Sequence, residues 1–246
     1  MIRVGVHGAG GKMGIAACAA VDAADDLELV ATSGRGDELR VFAETGCAVV
    51  VDFSTADAAR VALPWLAMHG IHAVSGTTGL TADDFAAIRG AFGDGAAHCV
   101  WAPNFAVSAV LLMRFAELAA PWFDTVEVLE FHHNAKVDAP SGTAVATAER
   151  IAAARRGAPW APDPTTHEVL PGARGGAAAS GVRVHGVRMA GMNAHQEVLF
   201  GTTGQTLTIR QDSYDRSSFM PGVLLACRRV ADHPGLTIGL DAVLGI

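Results

Sequence analysis

Several features that mark whole protein classes are missing from this 246-residue chain. Its four cysteines, Cys18, Cys47, Cys99 and Cys227, stand far apart with no C-x-x-C pair, so neither a disulfide framework nor a zinc site is expected. They read as reduced, buried small hydrophobes. No apolar run reaches the ~18 residues that suggest a membrane span. Met1 leads straight into "IRVGVHG", which reads as a strand rather than a charged region before an apolar one, so no secretory signal is expected. Acidic residues number 25 against 18 basic ones, with no basic block, and the resulting charge of -7 leaves no footprint for nucleic acid or an anionic membrane. These absences point to a cytoplasmic protein whose partners are small molecules.

What is present is a regular grammar. Half the chain is apolar, enough for a substantial core in one large or two modest domains. Up to about Trp101, short strands ("IRVGV", "LELVAT", "CAVVVDF", "IHAVSG", "AHCVWA") alternate with helical patterns such as "KMGIAACAAVDAA" and "TADDFAAIRGAF". Apolar strands separated by helices imply a parallel, doubly wound sheet of α/β class. After Phe105 the order changes: a helix over Val107 to Ala120, the strand "TVEVLEFHH", a helix from near Ser141, then "GVRVHGVRMA", "HQEVLFGTT" and "QTLTIRQDS". Strands that follow one another through short Gly-rich turns predict an α+β domain with a mixed or antiparallel sheet. Gly157 to Gly181, rich in proline and glycine, reads as a surface loop. A last helix, "SSFMPGVLLACRRVA", and "GLTIGLDAVL" could pack back on the first domain.

"VGVHGAGGKMG" sets Gly8, Gly10, Gly11 and Gly14 between the first strand and helix. A tight turn needs positive φ, and a pyrophosphate approaches only a backbone with no Cβ in the way. The helix start adds free N–H groups and a positive dipole end. The spacing G-x-G-G-x-x-G is a variant of the dinucleotide fingerprint; the alternative is that the glycines serve close packing alone, and four within seven residues favour binding in a Rossmann-like fold. After the second strand, "TSGRG" carries no carboxylate for a ribose 2′-OH. Arg35, helped by Lys12, suits a 2′-phosphate, compatible with NADPH; the alternative leaves Arg35 a solvated loop charge.

The densest chemistry lies in "EFHHNAKVDAPSGTA", Glu130 to Ala144. His132 and His133 at a strand end face opposite sides if the strand stays regular, so one could be core and the other catalytic. Lys136 brings a positive charge, and a histidine titrating near pH 6.5 exchanges protons at neutrality. The helix that follows has Ser141 near its cap, apolar positions Val145, Ala148, Ile151 and Ala152, and Gly157 as its stop. Gly142 and Thr143 would offer backbone N–H groups to a carboxylate. This grouping suggests reduction of an acidic C=N- or C=C-containing small molecule with proton delivery by the protein. An N-cap, a surface lysine and packed histidines would explain each residue singly but not their grouping. Asp138 reads as a loop-bracing acceptor.

These strings, with "GTTG" at Gly76 to Gly79, "APNFAVSAVLLM" and "HQEVLFGTTGQTLTIRQDSYDR", resemble in order and spacing the 4-hydroxy-tetrahydrodipicolinate reductase (dihydrodipicolinate reductase) family over nearly the whole chain. The resemblance implies a dinucleotide domain of residues 1–105 completed by 216–246, and a substrate-binding and oligomerisation domain of residues 106–215, with hinge closure and a homotetramer. It implies hydride transfer from NADPH or NADH to a cyclic dicarboxylate in lysine and diaminopimelate synthesis. His132 and Lys136 would transfer protons, and His133, Ser141, Gly142 and Thr143 would hold the substrate. Gly8, Ala9, Gly10, Gly11, Lys12 and Met13 would wrap the pyrophosphate, with Arg35 at the ribose. Gly76, Thr77 and Thr78, with Ala102, Pro103, Asn104 and Phe105, would line the nicotinamide side. Two departures stand out: Ala135 occupies the place of a further family histidine, and the acid that relatives often carry near Gly34 is missing. Rival readings are another bipartite amino-acid dehydrogenase, which would need a different substrate motif, and an idle NADP-binding sensor, which would lack the His or Lys.

Overall fold

The computed structural model describes residues 1–93 and 95–246. In chain order its elements are β1 (Ile2–His7), α1 (Lys12–Asp22), β2 (Leu27–Ser33), α2 (Arg40–Glu44), β3 (Val49–Asp52), α3 (Ala56–Met68), β4 (His72–Ser75), α4 (Ala82–Gly93), β5 (Cys99–Trp101), α5 (Val107–Ala119), β6 (Thr125–His132), α6 (Gly142–Ala154), β7 (Gly176–Ala177), β8 (Arg183–Arg188), β9 (Ala194–Thr202), β10 (Gln205–Ser213), α7 (Met220–Arg229), β11 (Leu236–Ile238) and α8 (Asp241–Leu244). They form two compact units, Met1–Val107 with Arg216–Ile246, and Ser108–Asp215. No helix among the described residues is long and apolar enough to cross a membrane.

The first unit is built on a six-stranded sheet of order β11-β5-β4-β3-β1-β2. Every pair is parallel, which makes the fold Rossmann-like as expected. Its central strands are mostly apolar because both faces are covered; all four residues of β3, Val49 to Asp52, are buried. Phe42, Leu63, Leu66, Ile88 and Phe92 fill the core. Phe42 belongs to α2, which the sequence reading passed over because five residues show no helical period. The chain's last segment supplies the edge strand β11, and Arg228 on α7 holds Asp26 with two hydrogen bonds of 2.7 and 2.8 Å.

The second unit carries a five-stranded mixed sheet, β10-β9-β6-β8-β7, in which only β6 and β8 run parallel. A parallel pair requires a crossover, and α6 provides it. The helix buries Ala144, Thr147, Ala148 and Ile151, whereas Val145 and Ala152 of the predicted stripe are only half-buried. Thr147 is tolerated inside because its hydroxyl donates to the Thr143 carbonyl at 2.8 Å and accepts from Gln196 Nε2 at 2.7 Å. Most of 157–181 is irregular, but Gly176–Ala177 adds the edge strand β7, two residues with no side-chain pattern to betray it.

Candidate active site

β1 ends at His7 and α1 begins at Lys12, so the chain must reverse within four residues. Gly8 has φ +79°, and a Cβ there would lie 2.6 Å from the Phe53 carbonyl oxygen. A Cβ on Gly14 would come within 2.1 Å of the Gly8 carbonyl oxygen, so the helix rests directly on the turn. Gly11 caps α1 without a side-chain hydrogen bond, which keeps the helix end open to an anion. Beside this turn lies a cavity of about 560 Å³, bounded by Gly8, Gly10 and Gly11, by Gly34, Arg35 and Asp37 after β2, and by Ser54 and Thr55 after β3. It sits at the carboxyl ends of strands where the sheet order departs to either side of β1, the usual ligand crevice of such sheets.

Arg35 is exposed on this cavity. Lys12 is exposed in the first turn of α1, while Ala9 and Met13 are half-buried. The expectation of no carboxylate near the end of β2 needs correction: Asp37, the residue directly after "TSGRG", accepts the Gly34 amide at 2.7 Å and lines the same cavity. His7 escaped notice altogether. It is 6% exposed, its Nδ1 lies 2.7 Å from Ser33 Oγ, and its buried Nε2, on the cavity wall, has no partner among the described residues. A glycine turn beside the cavity, open at Gly10, and a buried ring nitrogen without a partner among the described residues both fit a bound dinucleotide. Gly76, Thr77 and Thr78 follow β4. Thr77 is buried and donates to Asp52 Oδ2 at 2.9 Å; Ser75 donates to the same oxygen at 2.8 Å, and Ser54 Oγ to Oδ1 at 2.6 Å. Ala102 and Phe105 are buried, Pro103 is exposed, and Asn104 caps its own turn by accepting the Ala106 amide at 2.8 Å. These segments lie outside the cavity wall, at the carboxyl ends of β4 and β5.

In the second unit, β6 ends at His132 and α6 begins at Gly142, so a strand's carboxyl end and a helix amino end meet, as in any βαβ crossover. Neither histidine is a core residue. His132 is half-buried and His133 exposed, with its amide on the Asn193 carbonyl at 3.4 Å. A turn closed by Lys136 N–H to the His133 carbonyl, 3.1 Å, folds the lysine back, and Lys136 Nζ meets both Asp138 carboxylate oxygens at 2.8 and 2.9 Å. Ser141 is buried; its Oγ accepts the Ala144 amide at 3.2 Å, so its side chain is committed to capping, while Gly142 is exposed and Thr143 half-buried. Ala135 is exposed.

Residues 2–105 match the family described as dihydrodipicolinate reductase, N-terminus, and residues 108–244 match dihydrodipicolinate reductase, C-terminus. The chain belongs to the dihydrodipicolinate reductase family. It is 59% identical to the 4-hydroxy-tetrahydrodipicolinate reductase of Nocardia farcinica, over 100% of this chain and 99% of that protein. Its identity to the protein of the same name from Mycobacterium marinum is 52%, over all of both chains. Among solved structures, the dipicolinate-bound dihydrodipicolinate reductase of Paenisporosarcina sp. TG-14 superimposes with a TM-score of 0.89 at 36% identity, covering 98% of this chain and 99% of that one.

In this member of the dihydrodipicolinate reductase family the electrostatics of the second unit centre on a residue to which the sequence assigned no role, Glu130. Glu130 is wholly buried next to His132. Its Oε2 lies 2.5 Å from His132 Nδ1, and Arg188 donates to both carboxylate oxygens at 2.8 Å. Burial alone would raise the Glu130 carboxyl, but Arg188 and His132 hold it below the usual range. Burial lowers the His132 pKa; Glu130 opposes that shift, and the charges of Lys136 and Arg188 add to it. The Lys136 hydrogen bonds keep the Asp138 carboxyl low. The His132 imidazole, held toward its neutral form, thus stands near the Lys136 amine, an arrangement suited to proton transfer onto a bound anion.

Proposed function

We propose that the chain reduces 4-hydroxy-tetrahydrodipicolinate to tetrahydrodipicolinate with NADPH or NADH, in lysine and diaminopimelate biosynthesis in the cytoplasm. The observation that carries this reading is the convergence of His132, Lys136 and the start of α6 at one end of β6, in a chain whose relatives bear the reductase name along their full length. In the net reaction one hydride and one proton add to the substrate, one water leaves, and the oxidised coenzyme departs. The coenzyme, when bound, supplies the hydride. Residues 1–105 with 216–246 serve the dinucleotide; residues 106–215 serve the substrate and assembly.

Gly8, Gly10, Gly11 and the first turn of α1 receive the pyrophosphate through backbone N–H groups. Arg35 favours a 2′-phosphate and Asp37 a ribose hydroxyl, and their presence on one cavity supports use of either coenzyme. Gly76 to Thr78 and Ala102 to Phe105 border the nicotinamide, through main chain where their side chains are buried. His133 and the amides of Gly142 and Thr143 hold the substrate carboxylates, with Ser141 keeping the helix end in shape. His132 and Lys136 hold and deliver the proton. Homotetramer formation is supported by β10, an edge strand whose first four residues are exposed and whose outer backbone groups await a partner.

The test is oxidation of NADPH, and separately NADH, by the purified protein, with substrate made in situ from pyruvate and aspartate semialdehyde by a synthase. Oxidation that depends on the synthase is expected. No oxidation with either coenzyme, despite measurable dinucleotide binding, would reject the reaction.

A further inference from the structure

Glu130 faces Gly186 across the parallel β6–β8 pair. A Cβ at Gly186 would lie 3.0 Å from Glu130 Oε1, so the missing side chain leaves room for the carboxylate. Into that room reaches Arg188, two residues further along β8, with an end-on fork of two hydrogen bonds. The same guanidinium also donates to the Asp138 carbonyl at 2.6 Å, gripping the loop that carries Lys136. Glu130 Oε1 accepts the Ser141 amide at 3.1 Å, next to the helix cap. One buried carboxylate therefore touches the ring of His132 and the entry to α6, and through Arg188 the Lys136 loop.

We propose that Glu130, locked by Arg188, is the positioning residue of this site: it fixes the proton of neutral His132 on Nδ1, leaves Nε2 for the substrate, and holds His132, the Lys136 loop and the α6 start in one frame. The inference rests on the functional reading above for the identity of the site, but its chemistry is independent of the substrate. A carboxylate only accepts hydrogen bonds, so the imidazole nitrogen facing it must carry the proton. The fork matters as much as the charge. Arg188 and Ser141 occupy the other acceptor positions with donors, so the carboxylate cannot turn away from His132.

The decisive experiment is nitrogen-15 NMR of protein labelled at histidine, with His132 assigned by its loss in His132→Asn. In the wild-type protein neutral His132 is expected as the Nδ1–H tautomer. In Glu130→Gln the amide keeps its oxygen toward Ser141 and presents NH₂ to the ring, so His132 is expected to switch to Nε2–H. Its pKa should fall further, because among Glu130, Lys136 and Arg188, the charged groups that act on it, only Glu130 offsets burial. Turnover is expected to drop at least ~10-fold with coenzyme affinity unchanged. An Nε2–H tautomer in the wild type, or an unmoved tautomer and pKa in the folded variant, overturns the proposal. If Glu130→Gln does not fold, the wild-type tautomer decides alone. A chain inactive toward the substrate named above but with the expected tautomer would reject the reaction and retain the positioning.

Discussion

At the carboxyl edge of the first sheet the cavity is bounded in large part by glycines, Gly8, Gly10, Gly11, Gly34 and Gly36, which offer it main chain alone. At the carboxyl end of β6 in the second unit the groups that matter are side chains, and they are held by other side chains: His132 by Glu130, Glu130 by Arg188, Lys136 by Asp138. The first kind of site depends on atoms being left out. Its failures should be steric, abrupt and indifferent to pH. The second depends on where protons sit, so its failures should appear in rate and in pH dependence while the fold survives.

Three substitutions sharpen that contrast. Lys136→Ala is expected to lower turnover by ~10²- to 10⁴-fold, the usual worth of a positioned proton donor, and to leave the coenzyme dissociation constant where it was. Steady-state kinetics beside a fluorescence titration of NADPH decides it; equal turnover would remove Lys136 from the mechanism. Gly14→Ala forces a methyl group to within 2.1 Å of a backbone oxygen that cannot swing aside. A loss of ~1–3 kcal/mol in thermal or urea unfolding is expected, with coenzyme binding weakened about tenfold and no change in the pH profile of what activity remains. A variant as stable and as tightly binding as the parent would mean that helix and turn are not rigidly packed. Arg35→Ala is the mildest, since the side chain is exposed: NADPH should weaken by about two- to fivefold while NADH stays constant. An unchanged ratio of the two affinities would return Arg35 to a solvated loop charge.

The same division governs what could be read from residues alone. Glycine spacing between a strand and a helix is local, so the cradle was visible in "VGVHGAGGKMG", and the strands of the parallel sheet stood out as short, mostly apolar runs between helical patterns. The adjacent His132, Lys136 and Ser141 were equally local. Glu130 was not legible, because in "TVEVLEFHH" it looks like one more polar position in an alternating strand; its meaning comes from Arg188, 58 residues away, which only the β6–β8 pairing brings near. His7 was hidden the same way, as an ordinary interior residue of "VGVHG" until Ser33 on the neighbouring strand engaged one ring nitrogen and the cavity met the other. Asp37 lies one residue past "TSGRG". The loop after β2 turns back so that its carboxylate binds the Gly34 amide, and a window fixed by distance along the chain stops short of it.

The pairing of β11 with β5 carries a consequence for biosynthesis. Ribosomes make β1 to β5 first, then the whole of 108–215, and only then the strand that covers β5. Throughout that interval the nascent first unit holds a sheet edge of unpaired amides and carbonyls beside buried-type apolar residues. The intervening segment, which has its own sheet and crossover helix, can complete its folding while the earlier one waits. A translation product cut short before Arg216 would lack the β11 partner of β5 and leave that strand as the sheet edge, a surface open to pairing with other chains.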